Sequence, residues 1–123
     1  MSIRLMFKKC FIEKILSGEK DVTRRLKEPR FKMFGIVDAC TNYYDKPFAK
    51  LEIQGISKGM IDDVPYYASK LDQDKEAYNK EARREGFDTW EEFLEVYKSI
   101  NKAEDAVSKE CYRIEFKVVN IKD

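Results

Sequence analysis

Four side chains that can take part in chemistry lie within six residues of one another, in the stretch GEKDVTRRL at residues 18–26. Lys20 offers an amine, Thr23 a hydroxyl, and Arg24 and Arg25 two guanidinium groups. A hydroxyl near an amine can act as a nucleophile with its base, and a neighbouring cation can lower the pKa of the amine. The same side chains can also bind phosphates, or they can belong to an ordinary polar strand.

The composition limits which catalytic groups are available. The chain has no histidine, which excludes Cys/His zinc sites and any nucleophile activated by histidine. Cys10, Cys40 and Cys111 have no C-x-x-C spacing, so we expect reduced, buried, small apolar residues. A catalytic base must therefore be a carboxylate, a tyrosine, a cysteine or a lysine with a lowered pKa. We expect no metal and no cofactor.

Length and charge indicate one globular domain over residues 1–123. Apolar residues make up 43% of the chain and charged residues 38%, a composition typical of folded proteins with a strongly charged surface. We find no apolar run long enough for a membrane span and no signal peptide, so we expect a cytoplasmic monomer that does not contact membranes. Residues 1–50 hold twelve Lys or Arg against six Asp or Glu. This asymmetry predicts a basic face.

If the four side chains form one site, the elements around them must bring them to the same face of the domain. Apolar spacing predicts a strand over residues 3–7 and a helix over residues 8–17, which Gly18 ends. A second strand is predicted over residues 21–26. Since residues three apart in a strand point to opposite faces, Lys20 can approach Thr23 only from the turn before the strand.

The remaining chain supplies a sheet and two helical segments. Strands are predicted over residues 35–41, 47–57 and 111–121, and helical pieces over residues 62–84. A further helix begins at Thr89, an N-cap residue followed by an apolar stripe. The order β-α-β-β-β-α-α-β predicts an α+β fold. Periodicity alone does not decide whether such a sheet closes into a barrel.

The motif G-E-K-D-V-T-R-R at residues 18–25 resembles the G-x-K-x-x-T-x-R signature of the ASCH family, a branch of the PUA-like superfamily. Further similarities follow in the same order: F-x-x-x-I-x-S-G at 11–18, A-R-R-E-G-F at 82–87 and Y-x-I-E-F at 112–116. The resemblance covers nearly the whole chain. It implies a single PUA-like domain, a small β-barrel of about five strands with helices packed around it and a cleft lined by the lysine–threonine–arginine segment.

The resemblance also implies activities. ASCH proteins bind RNA or nucleosides, and one bacterial branch is an amidohydrolase that removes the acetyl group of N4-acetylcytidine with a lysine, a threonine and a glutamate. By position these residues are Lys20, Thr23 and Glu85, the glutamate lying in the segment ARREGF. On this basis the three are the candidate catalytic residues.

Three functions remain open. The one we favour from sequence is an RNA- or nucleotide-binding module with a basic, polar-lined cleft, in which Lys20, Arg24 and Arg25 bind phosphates and the loop residues Tyr43 and Tyr44 stack on a base. The second is the amidohydrolase described above. The third and weaker alternative is a ribonuclease, in which a lysine and a carboxylate assist attack by the RNA 2′-hydroxyl. Further cations could bind phosphates in an RNA-binding module: Lys8, Lys9, Lys27, Arg30 and Lys32.

Overall fold

The computed structural model describes residues 3–42, 44–60, 75–101 and 109–119. The strands in these ranges are β1 (Arg4–Met6), β2 (Val22–Arg25), β3 (Ile36–Cys40), β4 (Ala49–Met60) and β5 (Glu110–Val119). The helices are a 3-10 turn (Lys9–Phe11), α1 (Ile12–Ser17), α2 (Lys75–Arg84) and α3 (Trp90–Asn101). The predicted order of elements is confirmed. Most of the predicted helical region 62–84 precedes α2 and lies outside the described residues.

The five strands form one mixed sheet in the order β1-β3-β4-β5-β2. β1 pairs parallel with β3, and the other neighbours pair antiparallel, with a register shift in β4 between Ile53 and Gly55. No backbone ladder joins the edge strands β1 and β2 in the described ranges, so the predicted closed barrel is not confirmed and the sheet is open. The edges are only three and four residues long, which leaves few backbone groups for a closing ladder. One side chain crosses between them: Arg25 donates from its guanidinium to the Met6 carbonyl at 2.7 Å.

The main core lies on the inner face of the sheet. Leu51 and Ile53 of β4 are fully buried, and on β5 Ile114 and Phe116 pack in the same cluster. Ile15 of α1 packs against the same cluster and is also fully buried. Burial of this apolar surface is the main stabilising contribution to the sheet.

A second core lies between β5 and the two long helices. Trp90, Phe93 and Tyr97 of α3 are buried, as the apolar stripe predicts, and they pack with Cys111 of β5. β5 is therefore covered on both faces. No helix within the described ranges has the length and apolar character that crossing a membrane requires.

The cysteine prediction is correct for two residues and wrong for the third. Cys40 and Cys111 are buried free thiols, whereas Cys10 is exposed. Cys10 is the middle residue of the 3-10 turn that leads into α1. Only Phe11 of that turn is buried, so the turn presents one side chain to the core and leaves Cys10 at the surface.

Candidate functional site

A cavity of about 520 Å³ lies at the open seam of the sheet, between the ends of β1 and β2 and beneath α3. Lys20, Thr23 and Glu85 all line it, together with Arg24 and Arg25. The structure thus brings the three candidate catalytic residues to one cavity, although Glu85 is far from the other two in the chain. Their chemical roles remain predictions.

The position of Lys20 follows from the turn after α1. Gly18 has φ 86°, a left-handed conformation that ends the helix, and the Lys20 backbone N–H then donates to the Lys14 carbonyl at 2.9 Å. β2 begins only at Val22. Lys20 therefore lies before the strand, as its approach to Thr23 requires.

The Lys20 ammonium is fixed by two backbone carbonyls. Nζ donates to the Val22 oxygen at 2.7 Å and to the Glu85 oxygen at 2.5 Å. The first of these carbonyls belongs to the peptide unit that joins Val22 to Thr23, and the second to the main chain of the candidate acid. An ammonium has three N–H groups, so one remains for a ligand.

Burial makes Lys20 easier to deprotonate. The side chain lies under the Phe11 ring, with Nζ 4.9 Å from the ring centroid. Gly86, at φ 99°, packs against both side chains, since a Cβ there would lie 3.0 Å from Phe11 and 3.1 Å from Lys20 Cδ. Desolvation in this site lowers the pKa of Lys20 to about 8, despite the opposing charge of Glu85. A useful fraction of neutral amine therefore exists near neutral pH.

Thr23 lies in β2 next to a guanidinium group. It is buried, and its Oγ1 accepts a hydrogen bond from Arg25 Nε at 3.2 Å. The Arg25 guanidinium also lies over the Phe7 ring, 5.1 Å from its centroid. Although burial lowers the pKa of Arg25, the side chain stays a cation. Positive charge beside the hydroxyl can stabilise an alkoxide or oxyanion there.

Glu85 is almost completely buried, with 1% of its surface exposed. It follows α2 directly, and a residue at such a position is often an exposed helix-end charge. Here its Oε2 accepts from Arg24 Nε at 2.6 Å. Burial raises the pKa of Glu85, in spite of the nearby charges of Lys20 and Arg24. A carboxyl with a raised pKa can hold and release a proton during a reaction.

Arg24, a predicted phosphate contact, lies in a network of internal ion pairs. Its guanidinium is buried and binds two carboxylates, Glu85 through Nε and Glu81 through Nη2, each at 2.6 Å. Glu81 also binds Arg113, at 2.5 and 3.0 Å. These partners offset the charge of Arg24 and fix the position of the Glu85 carboxylate, while phosphate binding by Arg24 stays a prediction.

The structure describes one of the two tyrosines that are predicted to stack on a base. Tyr43 lies outside the described residues. Tyr44 is 95% exposed and does not line the cavity. It belongs to a turn in which the Asn42 side-chain oxygen accepts from the backbone N–H groups of Tyr44 and Asp45.

Sequence reasoning missed the aromatic wall of the cavity, because these side chains also belong to the two cores. The wall consists of Phe7, Phe11, Phe87, Phe93 and Tyr97. One signal could have revealed it: the apolar stripe of α3 continues to Ile100, which lines the cavity and is 47% exposed. An apolar stripe that extends beyond the core indicates a surface that meets something else.

Two exposed cations lie at the edge of the cavity. Lys8 and Lys27 both line it and both are exposed. The other predicted cations, Lys9, Arg30 and Lys32, are exposed but do not line this cavity. Positive charge is thus present at the edge of the cavity, while in its wall Lys20 and Arg24 are buried among internal partners and Arg25 is half-buried.

Comparison with known proteins shows similarity in structure. No protein-family model and no curated protein sequence matches the chain. Among solved structures, hypothetical protein PH0355 is 18% identical, with a TM-score of 0.65, over 97% of this chain and 100% of that one. The ASCH domain from Lactobacillus crispatus JV V101 is 19% identical, with a TM-score of 0.53, over 95% of this chain and 79% of that one.

A third solved structure is similar to this chain over nearly its whole length. ASCH from Zymomonas mobilis is 14% identical, with a TM-score of 0.54, over 98% of this chain and 72% of that one. Identities this low establish a shared fold and leave the activity open. The α+β chain, with its lysine, threonine and glutamate around one cavity, has the fold of the ASCH domain.

Proposed function

We propose that the cavity binds a molecule of nucleoside size and that the protein hydrolyses an amide on it, as in the deacetylation of N4-acetylcytidine. The observation that carries the proposal is that Lys20, Thr23 and Glu85 line one buried, aromatic-walled cavity. Burial lowers the pKa of the lysine and raises that of the glutamate. Shifts of this kind are typical of catalytic acids and bases.

The charges also favour a neutral ligand over an RNA backbone inside the cavity. The sequence predicts a basic cleft in which Arg24 binds phosphates. In the structure Arg24 is bound to Glu81 and Glu85 and Lys20 donates to two carbonyls, which leaves Arg25 and one N–H of Lys20 as the positive groups for an anion there. Aromatic rings instead offer flat, apolar surfaces that suit a heterocycle and exclude water.

In the proposed reaction Thr23 is the nucleophile. Its oxygen forms a bond to the acetyl carbonyl carbon while neutral Lys20 takes the hydroxyl proton. Arg25 already donates to the Thr23 oxygen. It therefore stabilises the negative charge that develops on this oxygen as its proton leaves. The carbon–nitrogen bond then breaks, and Glu85 carries the proton from Lys20 to the leaving amine. Lys20 then takes a proton from water as the water oxygen bonds to the acetyl carbon. The bond to the Thr23 oxygen breaks, Lys20 returns the proton to this oxygen, and the acetyl group leaves as acetic acid, which ionises to acetate.

Conversion of N4-acetylcytidine to cytidine and acetate by the purified protein tests this function directly. Thr23→Val keeps the shape of the side chain but removes the hydroxyl. We expect it to lower kcat by about 100-fold or more, with a much smaller change in KM, because the lost group acts in the chemical step. Both constants follow from the rate of cytidine release, measured by chromatography.

Ser57→Ala serves as the control, since it removes a hydroxyl from an exposed residue of β4 outside the cavity lining. It should retain nearly the wild-type kcat. A wild-type protein that forms no cytidine, or a Thr23→Val variant with full activity, would contradict the proposed reaction.

RNA or nucleotide binding is a second candidate, supported by the exposed Lys8 and Lys27 at the cavity edge. In this arrangement one base enters the cavity and the flanking phosphates meet the two lysines. The ribonuclease alternative would place the 2′-hydroxyl of such a strand near Lys20 and Glu85. Shortening of the bound oligonucleotide would reveal that activity.

Salt dependence tests the second candidate. If Lys8 and Lys27 each neutralise one phosphate, replacing both by alanine should reduce the slope of log K against log salt by about 0.7 per contact. Fluorescence anisotropy of a labelled single-stranded RNA measures the slope. Lys58→Ala, at an exposed lysine of β4 outside the cavity lining, should leave the slope unchanged. A wild-type affinity that does not respond to salt would rule out these phosphate contacts.

A further inference from the structure

A second cavity, of about 730 Å³, adjoins the first one at the open seam of the sheet. Its wall consists of β1, the segment that follows β2, and Ile114 of β5. Met6 and Arg25 line both cavities, and the Arg25 guanidinium donates across the seam to the Met6 carbonyl at 2.7 Å. The two cavities therefore meet at this hydrogen bond, where one ligand can contact both.

The wall of the second cavity carries an excess of positive charge. Within the described ranges, the charged residues that line it are four cations and one carboxylate: Arg4, Arg25, Lys27, Arg30 and Glu28. Arg4 already donates to the Asp45 carbonyl at 3.2 Å. Lys27 and Arg30 are exposed, and their side chains form no hydrogen bond or ion pair with any residue that the structure describes. An anion in this cavity is therefore attracted by its wall.

Arg25 is a half-buried cation with no carboxylate bound to it in the described part of the chain. One of its N–H groups donates to Thr23 Oγ1 and one to the Met6 carbonyl, so three of the five that a guanidinium has remain for a ligand. Burial lowers the pKa of Arg25 in spite of the opposing charge of Glu85. The surroundings thus compensate the positive charge only in part, and an anionic group beside it would complete the compensation.

The two cavities differ in chemistry, and this difference restricts the ligand. The aromatic wall of the first cavity suits a flat, uncharged ring, whereas the second cavity offers cations. A molecule that occupies both needs such a ring at one end and an anion at the other. Guanidinium groups match phosphate well, because their planar fork can donate two parallel hydrogen bonds. A nucleotide combines these features, since its ribose joins a base to a phosphate.

We infer that the second cavity is a phosphate subsite, in which Arg25, Lys27 and Arg30 bind the phosphate of a nucleotide whose base occupies the first cavity. This inference deepens the proposed function and rests on it for the position of the base. The ligand is then a nucleotide unit, either free or within an RNA chain. Lys20 and Thr23 would act on the substituent of the base while the phosphate holds the molecule across the seam.

Cytidine, cytidine 5′-monophosphate and cytidine 3′-monophosphate test the subsite, with binding to the full chain measured by calorimetry. We expect one of the two nucleotides to bind at least about tenfold more tightly than cytidine, because charge-assisted hydrogen bonds to the phosphate add affinity of this size. Added salt should reduce this preference, since the cations of the wall are partly exposed. A short single-stranded RNA distinguishes the two sources of the phosphate: an RNA ligand would bind more tightly than the mononucleotide, and a free nucleotide ligand would be preferred to RNA.

Arg30→Ala removes an exposed cation of the second cavity with little risk to folding. It should weaken nucleotide binding by about threefold or more and leave cytidine binding unchanged. Arg25→Gln should remove most of the preference for the nucleotide. Lys32→Ala is the matched control, because Lys32 is an exposed cation two positions from Arg30 that lines neither cavity. It should bind all three compounds like the wild type.

The outcomes separate this inference from the proposed reaction, because binding needs no hydrolysis. Tighter binding of a nucleotide supports the subsite even if the wild type never deacetylates N4-acetylcytidine. Hydrolysis of N4-acetylcytidine by a protein that binds neither nucleotide better than cytidine would overturn the inference and leave the reaction standing. An equal loss of nucleotide affinity in Arg30→Ala and Lys32→Ala would indicate a general effect of charge and would overturn it too. So would a wild type that binds none of the three compounds.

Discussion

Lys20→Ala should lower kcat for N4-acetylcytidine hydrolysis by about 100-fold or more and change KM far less. The lysine acts in the chemical step as the base, and losing one such group has an effect of this size. Steady-state rates of cytidine release give both constants. Lys117→Ala, at an exposed lysine of β5, is the control and should behave like the wild type.

The pH dependence gives this prediction a second measurement. Lys20 must be neutral to take a proton, and burial lowers its pKa to about 8. The amine is protonated and inactive below this pKa and neutral above it, so kcat/KM of the wild type should rise with pH through about 8 and then level off. Lys20→Arg keeps the positive charge but cannot give up its proton, so it should be as inactive as the alanine variant. An active arginine variant would exclude Lys20 as the base.

Arg24→Met should lower the free energy of unfolding by about 3–5 kcal/mol at neutral pH. Glu81 keeps its bond to Arg113, but Glu85 is left as a buried carboxylate without the guanidinium that binds it, and breaking a buried ion pair from one side costs about this much. Chemical denaturation measures the change. Since uncompensated carboxylates can take up protons, the loss should become smaller as the pH falls.

Arg83→Met is the matched control for this substitution. Arg83 lies next to Arg84 on α2 and pairs with Glu76, but both side chains are more than half exposed. An exposed pair contributes about 1 kcal/mol or less. If Arg24→Met were no more destabilising than Arg83→Met, the assignment of Arg24 to an internal positioning role would be wrong.

The ion pairs of Arg24 belong to a longer series of alternating charges. From Glu81 the series continues to Arg113, which also binds Glu115. Glu115 in turn binds Arg84, whose guanidinium forms two hydrogen bonds with Asp21, at 2.9 and 3.0 Å. The series links α2, β5 and the segment that carries Lys20. Arg24, one of the predicted phosphate contacts, therefore also helps to join these elements.

The sequence by itself determined the elements and the local placement of Lys20. Hydrophobic periodicity predicts strands and helices, and the order of the described ones is as predicted. Gly18 ends α1 in a left-handed conformation, and the Thr89 hydroxyl accepts from the Glu92 N–H to cap α3. Each of these features depends on residues a few positions apart, which is why a linear pattern can reveal them.

Only the tertiary structure decided what surrounds the site. Arg24 and Glu85 lie 61 positions apart, and no pattern in the sequence indicates that they form a buried ion pair. The open seam between β1 and β2 likewise depends on how the strands pair in the sheet. A sequence pattern tells which face of an element is buried, but the partner of a buried polar group is set by the element that packs against it.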